Sequence, residues 1–184
     1  MAAAGGGVNY DLAKPDVETA QEPFELEQLL VLFRELDPMR VLEVGVWHGG
    51  TLWHWLQGGR TVVGIDNAMA ESDQWEEWAL EAGSTLYLIQ GDSHDPSVIV
   101  TAENCGPYQF AFIDAGHTYE EVKADWDAYG RMVEPGGLVA FHDIMPRADY
   151  GVDRLWAELK AGGHWLEISA GRPDYCGIGV LWML

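Results

Sequence analysis

Apolar positions along the chain switch repeatedly between a helical and a strand period. Between residues 23 and 36, Phe24, Leu26, Leu29, Leu30, Leu32 and Phe33 recur at helical spacing, with Pro23 suited to the first turn and Asp37-Pro38 closing the segment. Val41, Leu42, Val44 and Val46, interrupted by one acid, Glu43, predict a buried strand that opens into a loop carrying Gly45, Gly49 and Gly50. Residues 51–57 then read as a short helix ended by Gly58-Gly59. The alternation continues with strand 61–66, helix 72–82, strand 84–90, helix 95–103, strand 108–114, helix 119–132, a turn at 134–137 and strand 138–143.

Regular alternation of this kind predicts a parallel sheet covered on both sides. The last portion departs from it: helix 153–160, strand 164–169, the loop AGRPDY and the apolar strand 176–184, with no helix between the last two strands. Strands joined that way form an antiparallel pair. The expected fold is therefore α/β, a Rossmann-like seven-stranded mostly parallel sheet with helices on both faces and a C-terminal antiparallel β-hairpin. Residues 1–21, with AAAGGG and Pro15, have the composition of a flexible N-terminal arm, which leaves 22–184 as a single domain.

Charge narrows the partners. Ten Lys and Arg against thirty Asp and Glu give a formal charge of −20, which repels a phosphate backbone and an anionic membrane surface, so neither nucleic acid nor membrane is expected as a partner. There is no basic leader with an apolar core and no apolar run long enough to span a bilayer, the pattern of a cytoplasmic protein. Cys105 and Cys176 lie far apart and outside any C-x-x-C pattern, which reads as reduced thiols, with one disulfide as the alternative. Aromatic-rich helices and the apolar final strand suggest a homodimer.

Candidate chemistry gathers where strands end. A strand, a glycine turn and a helix N-terminus leave free backbone N–H groups facing one spot. Asp66 ends the next apolar run, about 20 residues beyond the turn, where nucleotide-binding α/β folds place an acid on ribose hydroxyls. The spacing is Gly45-x-x-x-Gly49-Gly50 and not the G-x-G-x-x-G of dinucleotide binders, which leaves a nicotinamide oxidoreductase as a distant reading. With Glu43, the pattern E-x-G-x-x-x-G resembles motif I of class I methyltransferases that bind S-adenosylmethionine.

The ordered set of that motif, the acid ending the second strand, G-D-S at 91–93, F-I-D-A-G-H at 112–117, and E-P-G-G followed by F-H-D-I resembles a wider family. It is similar, over residues 38–184, to the small-molecule O-methyltransferase families that include macrolide-sugar methyltransferases and cephalosporin-hydroxylase-like proteins. The resemblance implies S-adenosylmethionine as cofactor, with Glu43 and the backbone around Gly45, Val46 and Gly49 near its methionine part. It further implies Asp66 and Asn67 at the ribose, Gly91, Asp92 and Ser93 at the adenine, and Asp114 facing the cofactor. In metal-dependent relatives an acid ending strand four and two adjacent residues ending strand five ligate a divalent cation, positions matched here by Asp114, His142 and Asp143. Mg²⁺ or Mn²⁺ is expected; the imidazole of His142, where the families carry an oxygen donor, also admits Fe²⁺ or Zn²⁺. His117 matches the general base of the macrolide-sugar enzymes, with Asp114 as the second catalytic group.

The expected function is metal-assisted methyl transfer from S-adenosylmethionine to a hydroxyl of a small-molecule acceptor. The alternatives are a metal-independent methyltransferase and a non-catalytic S-adenosylmethionine-binding accessory protein. Acceptor specificity falls to the strand-end loops at 92–95 and 145–151, with Tyr119 and Tyr150 as pocket candidates. His48, His54, His94 and His164 read as structural.

Overall fold

The strand that leads into the glycine turn lies inside a seven-stranded sheet. A computed structural model describes Val17 and residues 19–171 and 176–184. Most of the arm expected at 1–21, namely 1–16 and 18, and residues 172–175 of the AGRPDY loop lie outside the described residues. In chain order the elements are α1 (Pro23–Leu36), β1 (Arg40–Val44), α2 (Gly50–Leu56), β2 (Thr61–Asp66), α3 (Ser72–Glu81), β3 (Thr85–Gln90) and α4 (Pro96–Cys105). They continue with β4 (Tyr108–Ile113), α5 (Tyr119–Tyr129), a 3-10 turn (Gly130–Met132), β5 (Val133–His142), α6 (Val152–Lys160), β6 (His164–Ile168) and β7 (Ile178–Trp182).

The sheet runs β3-β2-β1-β4-β5-β7-β6. Strands β1 to β5 pair in parallel, and β7 runs antiparallel to both β5 and β6. This is the Rossmann-like arrangement with a terminal hairpin that the sequence pattern predicts, the last strand slotting between β5 and β6. Helices α1, α2 and α3 cover one face and α4, α5 and α6 the other. Central strands read as continuous apolar runs because both faces are buried: on β1, Val41 packs with Leu29, Phe33 and Trp55, while Leu42 and Val44 pack with Ala111 and Val139 on the opposite side. The edge strands β3 and β6 are more exposed than the central ones, with Tyr87, Trp165 and Leu166 among their exposed side chains.

Two elements differ from expectation. The helix expected to reach Met132 ends at Tyr129, because at Gly130 the chain tightens into the 3-10 turn and packs beneath Trp126, whose ring a Cβ there would strike at 2.5 Å. The Glu134-Pro135-Gly136-Gly137 turn belongs instead to β5, whose amide at Gly136 and carbonyl at Gly137 bond Met183. Glycine and proline chemistry there yields to strand pairing, with the register shifting between Tyr108 and Phe110.

Local chemistry sets the helix starts. Glu22 caps α1 by accepting from the Phe24 and Glu25 amides, and Thr118 with Glu121 forms a reciprocal capping box on α5. Glu25, fully buried, accepts from the Ala170 and Gly177 amides at 3.1 Å each and so ties α1 to both ends of the β6–β7 connection. Cys105 and Cys176 are free thiols. No helix among the described residues is long and apolar enough to cross a membrane.

Candidate active site

All five parallel strands end on one rim, and the turn after each carries a candidate residue. The turns after β1 and β4 pack together: Gly45 has φ +91°, and a Cβ on it would lie 2.2 Å from the Asp114 carbonyl oxygen, so only glycine fits. Beyond the rim lies a cavity of about 670 Å³. Gly45, Val46, Asp66, Asn67, Gly91, Asp92, Ser93, Asp114, His117, His142 and Asp143 all line it, so most of the expected site converges. Glu43 and Gly49 do not line it.

At one end, Asp66 organises the glycine loop. Its Oδ2 accepts from the Val46 and Trp47 amides at 2.8 Å each and its Oδ1 from Ala68 N at 2.9 Å. Three N–H groups leave roughly one of a carboxylate's four lone-pair positions for a ligand hydroxyl. Trp47, at φ +51°, is a bulky residue held in the left-handed region and half-exposed at the cavity wall. Gly49 gives room to the Trp75 indole, which a Cβ would meet at 2.4 Å.

Glu43 lies one layer behind the cavity. Its Oε1 accepts from the Thr51 hydroxyl and from Trp55 Nε1 at 3.1 Å, and its Oε2 has no hydrogen-bond partner among the described residues. Complete burial pushes its carboxyl up to about 8. Thr51 does line the cavity, so Glu43 reaches it through that hydroxyl. On the next strand end, Asp92 Oδ1 accepts from His94 N at 2.9 Å, and the His94 ring lies 3.3 Å from both Asp92 Oδ1 and Asp125 Oδ1. Burial raises the Asp125 pKa.

The other end is built from imidazoles and acids. His142 Nδ1 lies 3.2 Å from Asp114 Oδ1 and 3.4 Å from Asp143 Oδ2, and among the described residues neither ring nitrogen meets a partner in hydrogen-bond geometry. Burial by itself lowers an imidazole pKa, but the two carboxylates outweigh it and bring His142 to about 10. His117 Nε2 lies 3.0 Å from Asp143 Oδ2, which raises the His117 pKa. Asp143 keeps its charge: burial opposes it, yet the two imidazoles hold its carboxyl well below the usual range. Its backbone, at φ +61°, sits in the left-handed region, which Asp tolerates. The His117 carbonyl accepts from Gly151 N at 2.8 Å, fixing the His117 loop to the segment after β5.

Several wall residues carried no signal of their own. Gln21, read as the end of a flexible arm, is buried and donates from Nε2 to Asp114 Oδ2 at 2.6 Å. Arg147 Nη1 reaches Asp143 Oδ1 at 3.3 Å and Cys176 Sγ at 3.0 Å. Burial and the neighbouring Asp143 push the Cys176 thiol up to about 12, so it stays neutral. Tyr150 stacks 4.6 Å from the His117 ring, whereas Tyr119 turns away to bond Glu158. His94, set aside as structural, lines the cavity; its place beside Gly91-Asp92-Ser93 was the available clue. His48 binds Glu71 at 2.8 Å outside it.

Two overlapping sets place donor atoms within 4.8 Å of one another: Asp114, His117 and Asp143, and His142, Asp143 and Cys176. Asp143 belongs to both. Neither set is the expected trio of Asp114, His142 and Asp143, although His142 Nδ1 lies between those two carboxylates; carboxylate with imidazole suits Mg²⁺, Mn²⁺ or a first-row transition ion.

The model of a family described as "Methyltransferase domain" matches residues 42–144. Uncharacterized protein R132 of Acanthamoeba polyphaga mimivirus is 26% identical over 151 residues, 74% of this chain and 67% of that protein. Among solved structures, the MycE methyltransferase of the mycinamycin biosynthetic pathway, in complex with Mg and SAH, is 21% identical with a TM-score of 0.59 over 85% of this chain. This chain spans about half of it, 48%. The O-methyltransferase from Bacillus cereus in complex with SAH is 18% identical, with a TM-score of 0.68 over 91% of this chain and 84% of that one. At these identities the solved structures establish the fold, while the family match covers every strand end of the rim. The chain belongs to the methyltransferase-domain family, on the class I S-adenosylmethionine-dependent fold.

Proposed function

We propose that this chain transfers the methyl group of S-adenosylmethionine to a hydroxyl of a small molecule, with His117 as general base and a divalent cation held by Asp114, His142 and Asp143. The observation that carries the reading is that one cavity joins the Asp66 glycine loop to the His117–Asp143 pair. Asp66 and Asp92 keep accepting capacity for hydroxyl and amino donors, and carboxylates along the wall complement a sulfonium cation. When bound, S-adenosylmethionine supplies an electrophilic methyl carbon.

His117 handles the proton. With Nε2–H turned to Asp143 Oδ2, Nδ1 is left as the acceptor that takes the hydroxyl proton during attack. Asp143 then stabilises the imidazolium, and the Gly151 bond to the His117 carbonyl keeps its loop in place. A cation on Asp114, His142 and Asp143 would supply Lewis acidity toward the hydroxyl oxygen, and the approach of His142 Nδ1 to both carboxylates, 3.2 and 3.4 Å, supports that fit.

A metal-independent form has its own support: His142 as an imidazolium between two carboxylates balances charge with no ion. The test is calorimetric titration with S-adenosylhomocysteine (SAH), with and without Mg²⁺ and Mn²⁺, followed by methyl transfer with and without chelator. SAH binding strengthened by either ion, and activity lost to chelator, support the full reading. Activity that survives chelation supports the metal-independent form, and failure to bind SAH removes both.

A further inference from the structure

The charged residues on the cavity wall are mostly acids: Asp66, Asp92, Asp114, Glu121 and Asp143 face it. Among the described residues one Lys or Arg lines it, Arg147, in the segment after β5. In a chain with only ten such residues against thirty acids, a cation beside the base asks for a reason.

Neutralising Asp143 does not account for its geometry. The contact is a single one, Nη1 to Oδ1 at 3.3 Å, longer than the roughly 2.7–2.9 Å of a charge-assisted bond and lacking the paired fork. The second contact of Nη1 is the Cys176 sulfur, a weak acceptor. Asp143 is already served by His117 and His142. Instead the guanidinium lies over the Tyr150 ring, Cζ 4.8 Å from its centroid, and Tyr150 in turn stacks on His117. Among the described residues Nε and Nη2 make no hydrogen bond, and the side chain is 45% exposed. A planar fork of donors is thus presented to the cavity one aromatic ring away from the base.

We propose that Arg147 binds an oxyanion of the acceptor, so that the molecules methylated are small hydroxylated anions whose carboxylate or phosphate shares a scaffold with the reacting hydroxyl. This rests on the methyl-transfer reading and adds a substrate class to it. Arginine suits the task because its fork matches both oxyanions bidentately; acids farther than about 10 Å are screened at ordinary ionic strength, and the nearer Asp143 already has the His117 and His142 imidazoles beside it.

The experiment uses the full chain saturated with SAH and two matched pairs of probes: 3,4-dihydroxybenzoate against its methyl ester, and glucose 6-phosphate against glucose. The expected result is that in at least one pair the anion binds tenfold or more tightly than its neutral partner. R147Q should remove that preference while moving the neutral partner by threefold or less, and R147K, which keeps the charge without the fork, should retain part of it. The pair that responds tells carboxylate from phosphate. No preference in either pair, equal weakening of anion and neutral partner by R147Q, or no binding by any of the four probes to SAH-loaded protein overturns the proposal. Failure to bind SAH strikes the methyl-transfer reading instead, which separates the two.

Discussion

Asp66 and Asp143 are both acids at the ends of parallel strands, both facing one cavity, and the fold uses them in opposite ways. Asp66 is satisfied by three backbone amides, which do not titrate. Asp143 is engaged by two imidazoles and a guanidinium, two of which exchange protons. The cavity therefore has an end whose shape is fixed by main chain and an end whose charge follows the solution. One suits holding a nucleoside, the other moving a proton.

Substitutions at the two ends should separate binding from turnover. His117→Ala is expected to lower kcat about a hundredfold or more while leaving SAH affinity within threefold, in line with the usual weight of general-base catalysis. Asp66→Ala is expected to weaken SAH about tenfold to a hundredfold, since it removes an ionic acceptor and frees two loop amides. Calorimetry beside single-turnover rates reads both, and equal loss of binding in the two variants breaks the contrast.

A metal ion sharpens it further. His142 is cationic through the neutral range without metal, so a cation ligated there must displace its proton. Mn²⁺ affinity should rise about tenfold per pH unit between pH 6 and 8, with about one proton released per ion in buffers of different ionisation enthalpy. Affinity that ignores pH places the ion away from His142.

A smaller effect concerns the base. Asp143 raises the His117 pKa, and a general base at His117 would act only when unprotonated, so on the proposed reading turnover should climb with pH through a midpoint above the ordinary imidazole value of about 6.5. Asp143→Asn should move that midpoint to lower pH as well as slowing the plateau, measured as a kcat profile; an unmoved midpoint means that His117 is not the titrating group. The remaining effect is on stability. Glu43 binds its proton more tightly folded than unfolded, so between about pH 4.5 and 8 the native state holds a proton that the unfolded chain has lost. Stability should fall across that window by about 1.4 kcal/mol per pH unit from this group alone. Glu43→Gln, which cannot ionise, should flatten the slope in urea unfolding at pH 5, 6.5 and 8.

What could be read from the residues follows from how local each signal is. Strand and helix periods, the Asp66 spacing and the paired His142-Asp143 all lie within short stretches, and the fold they imply is the fold observed. Gln21 reaches Asp114 across 93 positions, and no local pattern announces such a pair. Asp125 sits on a helix whose apolar face reads as Val122, Trp126 and Tyr129, yet it is fully buried, because the His94 loop packs over it. Glu43 was legible as an acid needing a partner, but not which one: strand alternation turns it toward Thr51 and Trp55 and away from the cavity. The β5 segment at 134–137 carries strong turn residues, and only the pairing with Met183 makes it strand.

The Glu25 carboxylate grips one amide at each end of the β6–β7 connection, Ala170 and Gly177. With both ends pinned to the first helix, any tilt of that helix is passed straight to the last two strands, so the front of the domain and its closing hairpin move as one piece. Cys176, next to one anchor, lines the cavity, so the seating of the first helix is felt at that wall.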